Sequence, residues 1–483
     1  MLFTSLDYYL FLPIVALVFF LTPVRFRWAW LLVASYYFYM DWNPWYIWLI
    51  VGSTLIDYTA ALQIEGAANR QRKKAWLWLS IVANLGLLFT FKYFNFLSGE
   101  AAKVARLFQP EFEAYHLDIL LPVGISFYTF QTMAYTIDVY KGFTKAERHL
   151  GRYALYVSFF PQLVAGPIER SRDLLSQFHF NYQFDYQRIV GGLQLILWGL
   201  FKKLVIADRL ALFVDEVYGH PAQYEGFTVW LASVFFLFQI FCDFSAYTDI
   251  AIGSARILGV RLSQNFENRV YVITSFNKFW RGWHITLTNW FRDYVFFQLT
   301  PMGRGMAWIL VATVISFTLN GIWHGAEWTF LIWGGLNGLF VALEALLSKP
   351  ADRWLSQFGL SKGKPIRWLV DFALFFNLAV VSIIFFRAVN IQDAFMLIGQ
   401  LPKVSPIQLH ESIADIVGVR DFLIAAGMLI FMDVMHRLFR GQDIDAYFRQ
   451  IPWWARLGFY VLLINLILYL RVPEQQAFIY FEF

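Results

Sequence analysis

Two histidines in an aromatic setting are the residues of this sequence best suited to chemistry. His284 and His324 each follow a tryptophan directly, and both lie in the stretch 275–330, which is rich in apolar and aromatic residues. An ionisable side chain in a membrane-type setting is costly unless it has a partner or a function. Histidine is also the side chain that most often moves protons near neutral pH. We therefore predict that His284 and His324 form the reaction centre.

The first of the two settings is the WHGA segment around His324. Gly321, Gly325 and Ala326 surround this histidine, so that backbone and ligand could approach it closely. Asn320 lies four residues earlier and would share a helical face with His324. The alternative is a histidine that only hydrogen-bonds to a neighbouring helix.

The second setting is the segment FWRGWHITLTNWFRDY, residues 279–294, which contains His284. At helical spacing Trp280, His284 and Thr288 share one face. Arg281 and Arg292 add charge beside the tryptophans, which predicts an amphipathic or half-inserted helix near the cytoplasmic interface. The alternative is an interfacial anchor, which would explain the tryptophans but would not require His284.

The composition indicates that these segments belong to a polytopic membrane protein. Of 483 residues, 59% are hydrophobic and 15% charged, whereas a typical soluble domain is about 25% charged. Apolar runs recur from end to end, and helices are the only open-chain structure that satisfies its backbone in lipid. We predict one all-α domain with roughly eleven to thirteen transmembrane or re-entrant helices. The net charge of +5 is spread over loops, which suits anionic headgroups and not nucleic acid.

Several other functions are disfavoured by the sequence. Cys242 is the single cysteine, which excludes an internal disulfide and a cysteine-based zinc site. Two histidines without a third well-placed ligand do not make a metal site. No glycine-rich phosphate loop or nucleophile elbow is present. The N-terminal apolar run lacks a basic segment before it and a small-residue cleavage site after it, so we do not expect a signal peptide.

The distribution of basic residues predicts the topology. Basic loops follow the early apolar runs, and the last run is preceded by Arg437, Arg440, Arg449 and Arg456. The positive-inside rule makes these loops cytoplasmic and both termini extracytoplasmic. Residues 153–168 are apolar but basic on both flanks, and Gly166-Pro167 would break a helix there. We therefore predict a re-entrant segment at this point.

Five motifs in the chain resemble those of the membrane-bound O-acyltransferase family. They are PVGISFYTFQTMAYTIDVYKG (122–142), FFPQLVAGPIER (159–170), FCDFSAYTDIAIG (241–253), FWRGWHITLTNWFRDY (279–294) and LNGIWHGAEWTFLIWG (319–334). They stand in the family's order and span most of the chain. The match is to the bacterial branch that acylates envelope polymers, which includes alginate O-acetylation, peptidoglycan O-acetyltransferase and teichoic-acid D-alanylation proteins. Alginate-type members often carry a Gly-Gly-Asn-Arg-Lys-Gly run, where this chain has the shorter Gly303-Arg304-Gly305, which argues against alginate as the acceptor.

The resemblance implies a site, a reaction and partners. The family's invariant histidine falls on His324, the expected general base, and the second, branch-specific histidine on His284. Helices would surround a central tunnel that holds the donor. The residues expected to line this tunnel are Trp283, Asn289, Trp290, Asn320, Trp323 and Asp243. The resemblance implies an O-acyltransferase of the bacterial inner membrane, with acetyl-CoA or another acyl thioester as donor substrate and no bound cofactor or metal. The acceptor would be a polysaccharide, reached directly or through a periplasmic SGNH/esterase-type acyltransferase.

The tail, residues 471–483, carries a second resemblance. Its sequence FIYFEF is similar to the C-terminal FxYFxF motif of envelope-acylation systems, which falls here on Phe478, Tyr480, Phe481 and Phe483. The resemblance implies an extracytoplasmic tail in which Tyr480 carries the acyl group to the partner. The alternative is an aromatic anchor at the membrane interface.

Two other functions remain open from the residues alone. A transporter or channel for an acyl carrier or polymer could use the histidines as a gate or proton relay. A member of the same family could instead acylate a lipid or a protein, although the bacterial-type motifs argue against it.

Overall fold

Helices form from nearly all of the apolar runs. The computed structural model describes residues 1–179, 181–303, 305–403, 406–439, 444–473 and 476–481. Arg304, Arg440 and Phe483, which entered the sequence argument, lie outside the described residues. Within the described ranges all regular structure is helical, which confirms the predicted all-α class.

Nine helices in the described part of the chain are long and apolar enough to cross a bilayer, by length and composition. They are Pro44–Gly66, Arg70–Ala105, Tyr186–Gly219, Phe227–Ile257, Met306–His324, Trp328–Gln357, Pro365–Arg387, Gly418–Phe439 and Trp453–Leu470. A shorter apolar helix, Leu6–Leu21, precedes them. A span needs about 20 residues, so these lengths confirm the predicted polytopic architecture.

The chain divides into two compact units. One consists of Met1–Ile196 with Tyr247–Ser263, and the other of Leu197–Ala246 with Gln264–Phe483. The helix Phe227–Ile257 contributes residues to both. The single-domain expectation stays a prediction.

The first unit is held by a buried polar network among three helices. Its helices are Leu6–Leu21, Arg27–Met40, Ile47–Gly66, Arg70–Leu88, Phe94–Ala105, Ile125–Lys141, Leu150–Ser158, Phe160–Leu163, Ser171–Leu174 and part of Tyr186–Phe201. The carboxylate of Asp57 accepts hydrogen bonds from Ser80 Oγ at 2.6 Å and from Asn84 Nδ2 at 2.9 Å. Thr132 Oγ1 in turn donates to Asn84 Oδ1 at 3.1 Å. Because buried polar groups are stable only when satisfied, this network fixes the packing of the three helices.

The segment predicted to be re-entrant contains irregular backbone in the buried part of the first unit. The helix Leu150–Ser158 ends before Phe159, and a short helix Phe160–Leu163 follows. The break comes earlier than the predicted Gly166-Pro167 because Pro161 has no N–H to continue the helix. Gly166 follows in a tight turn, where a Cβ would lie 2.5 Å from the Cα of Gln162. The re-entrant course itself stays a prediction.

The second unit carries both histidines and the tail. Its helical segments are part of Tyr186–Phe201, then Lys202–Ala207, Asp208–Gly219, part of Phe227–Ile257, Phe276–Gly282, Ile285–Phe291, Arg292–Phe296, Phe297–Leu299, Thr300–Met302, Met306–His324, Trp328–Gln357, Pro365–Arg387, Ile391–Gln400, Pro406–Ile416, Gly418–Phe439, Ile444–Arg449, Trp453–Leu470 and Ile479–Phe481. Lys202–Ala207 is a π-helical turn inserted between two α-helices. Such turns widen a helix locally and often occur at functional sites.

Small residues let the two helices around the WHGA segment pack closely. A Cβ on Gly321 would lie 2.2 Å from the carbonyl oxygen of Phe330, and one on Gly334 would lie 2.4 Å from that of Phe317. A Cβ on Gly325 would lie 2.0 Å from the Phe330 ring. These glycines therefore serve the contact between Met306–His324 and Trp328–Gln357. The close approach that the sequence suggested is an approach of helices, and it fixes the position of His324.

Candidate active site

His324 is the last residue of its helix and is buried in an aromatic pocket. Its imidazole lies 4.9 Å from the Trp323 ring, 5.1 Å from Trp333 and 5.3 Å from Phe386, between ring centroids. Asn320 is buried one turn earlier in the same helix, as its spacing predicted. The helix end thus presents His324 to the interior of the second unit.

The segment around His284 is not the continuous helix that its spacing predicted. The helix Phe276–Gly282 ends at Trp283, which is extended, and a new helix Ile285–Phe291 begins after His284. His284 has φ 42° and ψ 54°, the left-handed conformation that non-glycine residues rarely adopt. The prediction that Trp280, His284 and Thr288 share one helical face is therefore wrong. Residues held in this way cluster at functional sites.

Asn265, which the sequence analysis missed, organises this break. Its Oδ1 accepts hydrogen bonds from Thr286 N at 3.2 Å and Thr286 Oγ1 at 2.9 Å, and its carbonyl oxygen accepts one from Ile285 N at 2.9 Å. The same Oδ1 lies 3.2 Å from His284 Nδ1. Asn265 is 19 residues from His284 in sequence, and no local pattern links the two.

This contact defines the tautomer of His284. A backbone N–H can only donate, so the Asn265 atom that faces Thr286 N and His284 Nδ1 is an oxygen. Nδ1 therefore carries the proton of the neutral imidazole, and Nε2 carries the lone pair. Burial lowers the pKa of His284 to about 3, so the ring is neutral at physiological pH.

The tail brings Tyr480 beside both histidines. The Tyr480 ring lies 5.6 Å from His324 and 6.5 Å from His284, between centroids. It also packs against Phe244 at 4.6 Å and Phe478 at 5.5 Å. The Phe481 side chain and Phe483, the other aromatic positions of the motif, lie outside the described residues. Three residues that the sequence singled out separately thus meet in one site.

The environment of Tyr480 keeps its phenol protonated. Burial raises the pKa of Tyr480 above its usual value, and the charge of the Asp243 carboxylate acts in the same direction. A free phenol already has a pKa near 10. Reaction at this oxygen therefore needs a neighbouring base.

A small apolar cavity lies at the meeting point. It has a volume of about 30 Å³ and is lined by His324, Tyr480, Trp283, Phe279, Trp333 and Phe386, among others. A second cavity of about 30 Å³ shares Trp283 and Phe279 and continues to Phe241 and Tyr271. The two cavities share lining residues at Trp283 and Phe279, and a continuous tunnel stays a prediction.

The remaining predicted donor-lining residues are placed differently. Trp323 lies beside both imidazoles, at 4.9 Å from His324 and 6.0 Å from His284. Asn289 and Trp290 lie on the helix after His284, and among the described residues neither belongs to the lining of the two cavities. Asp243 faces the tail backbone, where its Oδ2 accepts a hydrogen bond from Ile479 N at 2.9 Å. The described residues contain no group of three or more His, Cys, Asp or Glu that could hold a metal ion.

Comparison with known proteins identifies the class of proteins to which this helical chain belongs. Residues 147–386, which include both histidines, match the model of the membrane-bound O-acyltransferase family. The chain belongs to the membrane-bound O-acyltransferase family. It is a multi-pass membrane protein and an O-acyltransferase, and the resemblance seen in the sequence is confirmed.

Similar proteins of known name come from several bacteria. The chain is 38% identical to the "Probable alginate O-acetylase AlgI" of Azotobacter vinelandii, over 80% of this chain and 75% of that protein. It is 32% identical to the peptidoglycan O-acetyltransferase of Helicobacter pylori, over 99% of this chain and 97% of that protein. It is 26% identical to the teichoic acid D-alanyltransferase of Bacillus subtilis, over 57% and 71%. These relatives favour the acyltransferase prediction over the transporter alternative.

Proposed function

We propose that this O-acyltransferase takes an acyl group, most simply acetyl, from a cytoplasmic thioester such as acetyl-CoA and transfers it to Tyr480. A periplasmic SGNH/esterase-type acyltransferase then moves the group to a hydroxyl of an envelope or secreted polysaccharide. One observation carries the proposal: the Tyr480 ring lies 5.6 Å from His324 inside a buried aromatic pocket.

The first transfer is an attack of the Tyr480 phenol oxygen on the thioester carbonyl carbon. His324 accepts the phenolic proton as the new C–O bond forms. The C–S bond breaks, and the departing thiolate takes that proton from His324 and leaves as a thiol. A positioned general base contributes about 10²–10⁴-fold to such a step. Holding phenol and thioester together contributes further, because a bimolecular reaction becomes intramolecular.

His284 has a different part in this proposal. Asn265 sets its tautomer, and the neutral ring, with its lone pair on Nε2, lies 6.5 Å from Tyr480. Trp283, the preceding residue, lines both cavities. We assign to His284 and Trp283 the placement of the thioester at the inner end of the site, and Asn289 and Trp290 would lie nearer the donor entrance.

The size of the cavity supports a small acyl group. A volume of about 30 Å³ is space for roughly two water molecules. With the tail docked, a long acyl chain does not fit beside Tyr480, whereas a group of acetyl size needs only a small adjustment. The names of the O-acetylating relatives agree with this choice.

The second transfer requires the tail to leave the site. From Leu470, the end of the last helix, to Tyr480 the chain can extend by at most about 33 Å. Half of the hydrocarbon core is about 15 Å. The tail can therefore reach an extracytoplasmic partner after acylation, which agrees with a multi-pass protein of the bacterial inner membrane whose C-terminus is outside.

Incubation of the purified protein with acetyl-CoA labelled in the acetyl group tests the proposal. We expect label to become covalently bound to the protein and thiol to be released in equal amount. His284→Ala should raise the KM for the donor if His284 only places the thioester. Release of thiol without any labelled protein, or no release at all, would contradict the proposed transfer.

A further inference from the structure

Two lysines lie buried in the π-helical turn Lys202–Ala207. Lys203 is 2% exposed, and its Nζ forms ion pairs with Asp208 Oδ1 at 2.8 Å and Asp243 Oδ1 at 2.9 Å. The neighbouring Lys202 is equally buried but donates to Ser245 Oγ at 2.7 Å. Because the turn is wider than an α-helical turn, two consecutive lysines can both face the interior. Lys203, Asp208 and Asp243 are called the tail clamp below.

The tail clamp binds the main chain of the tail at two points. Lys203 Nζ donates to the carbonyl oxygen of Ala477 at 3.1 Å, and Asp243 Oδ2 accepts from Ile479 N at 2.9 Å. Ile479 begins the short helical turn Ile479–Phe481, so its N–H is not used within that turn and can bind Asp243. The two bonds fix the position of the main chain on both sides of Phe478. Phe478, between the two, is fully buried and stacks on Tyr480.

We propose that Lys203 and Asp243 are positioning residues that dock the tail backbone so that Tyr480 lies beside His324. The inference rests on the proposed role of Tyr480 as acyl carrier. It assigns a binding site for the main chain of the tail to residues of two helices, Tyr186–Gly219 and Phe227–Ile257. Asp243 was expected to line the donor tunnel, whereas its carboxylate bonds to the tail in the structure.

The clamp is built so that the tail can leave. Lys203 remains paired with both carboxylates when the tail bonds break, so its buried ammonium is not left without a partner. A polar cavity of about 10 Å³, lined by Lys203, Asp208, Asp243, Arg387 and Gln476 among others, adjoins these groups. Water entering there can replace the two backbone groups of the tail. Docking is therefore reversible, as a carrier segment requires.

The chemistry of the clamp suggests near-isosteric variants. Lys203→Met keeps much of the side-chain volume and removes the donor to Ala477. Asp243→Asn has a single oxygen, which can accept from Lys203 or from the N–H of Ile479 but not from both. At whichever of these two contacts the oxygen is missing, the NH₂ group faces another donor. Lys202→Met is the matched control, because it removes an equally buried ammonium that donates to Ser245. Lys203→Arg, which retains charge and donors, tests for rescue.

Docking can be measured independently of acyl transfer. Ile479 is 3% exposed, and Ile479→Cys keeps the backbone N–H while adding a thiol that reacts slowly with maleimide when docked. The background from the buried Cys242 is measured in protein without the added cysteine. We expect Lys203→Met and Asp243→Asn to raise the labelling rate at position 479 at least tenfold, Lys202→Met to leave it within twofold, and Lys203→Arg to restore slow labelling.

The same variants distinguish a failure of the clamp proposal from a failure of the proposed function. In otherwise unaltered protein, Lys203→Met and Asp243→Asn should lower the rate of Tyr480 acylation at least tenfold while the KM for the thioester stays unchanged. Unchanged labelling in both variants, or an equal rise in Lys202→Met, overturns the clamp. If labelling changes as expected but wild-type Tyr480 never becomes acylated, the clamp is supported and the proposed role of Tyr480 as acyl carrier is contradicted. If one of the two variants does not purify folded, the labelling rate of the other decides: a rise of tenfold or more supports the clamp, and an unchanged rate overturns it.

Discussion

The ring of Tyr480 lies 5.6 Å from the imidazole of His324, although one belongs to the tail and the other ends a membrane-spanning helix. Aromatic rings pack around the pair, and the Tyr480 side chain is partly buried between them. A base beside a phenol is the arrangement that an acyl transfer to tyrosine requires.

Substitution of His324 tests its role as base. His324→Gln removes the base with little change in volume, and we expect acyl transfer to fall by about 10²–10⁴-fold. His436, another buried histidine, hydrogen-bonds to Tyr271 away from the tail, so His436→Gln is the matched control and should keep more than a third of the activity. If His324→Gln purifies as well as wild type and has nearly the same turnover, His324 is not the base.

Substitution of Asn265 tests whether this residue holds the His284 ring in its orientation. Asn265→Ala removes the oxygen that accepts from Thr286 and faces His284 Nδ1. Leaving buried donors without an acceptor costs about 1–3 kcal/mol, so the melting temperature should fall. The KM for the thioester should rise with it, because His284 loses its fixed orientation. A variant that is destabilised but binds the donor normally would show that Asn265 has only a structural role.

The low pKa of His284 predicts a pH dependence of stability. Its pKa is about 3 in the folded protein and about 6.5 in an unfolded chain. Between these values the unfolded state binds more protons, so the free energy of unfolding should fall as the pH drops from 6.5 toward 3. Above pH 6.5 this contribution is constant. Melting curves of wild type and His284→Gln should therefore converge as the pH falls, and curves that stay parallel would contradict the buried neutral ring.

The topology can be tested with fusions. The basic residues before the last helix, Trp453–Leu470, predict a cytoplasmic start and an extracytoplasmic end for it. A phosphatase fused after Phe483 should be active, and a fluorescent protein at the same point should be dark. The reverse result would place the tail in the cytoplasm and exclude an extracytoplasmic partner for Tyr480.

Features with a local cause could be predicted from the sequence. The last apolar run forms one uninterrupted helix, Trp453–Leu470. Asn320 and His324 occupy successive turns of one helix because four-residue spacing determines their face. The long apolar helices follow from length and composition alone.

Features that depend on distant partners could not be predicted. The spacing around His284 is helical, but Asn265 and the left-handed backbone override it. The docking of the tail depends on Lys203 and Ala477, which are 274 residues apart. Asp243 was expected to line the tunnel, yet nothing near it in sequence indicates that it binds the backbone of Ile479.

The most direct test of the account is the mass of the C-terminal peptide. The protein is isolated from cells that lack the periplasmic partner, so that the acyl group has no onward acceptor. We predict an acetyl adduct on Tyr480 in wild type and no adduct in Tyr480→Phe, which keeps the packing and removes only the hydroxyl, or in His324→Gln. An unmodified wild-type peptide, together with normal polymer acylation in Tyr480→Phe cells that retain the partner, would contradict the transfer from thioester to Tyr480.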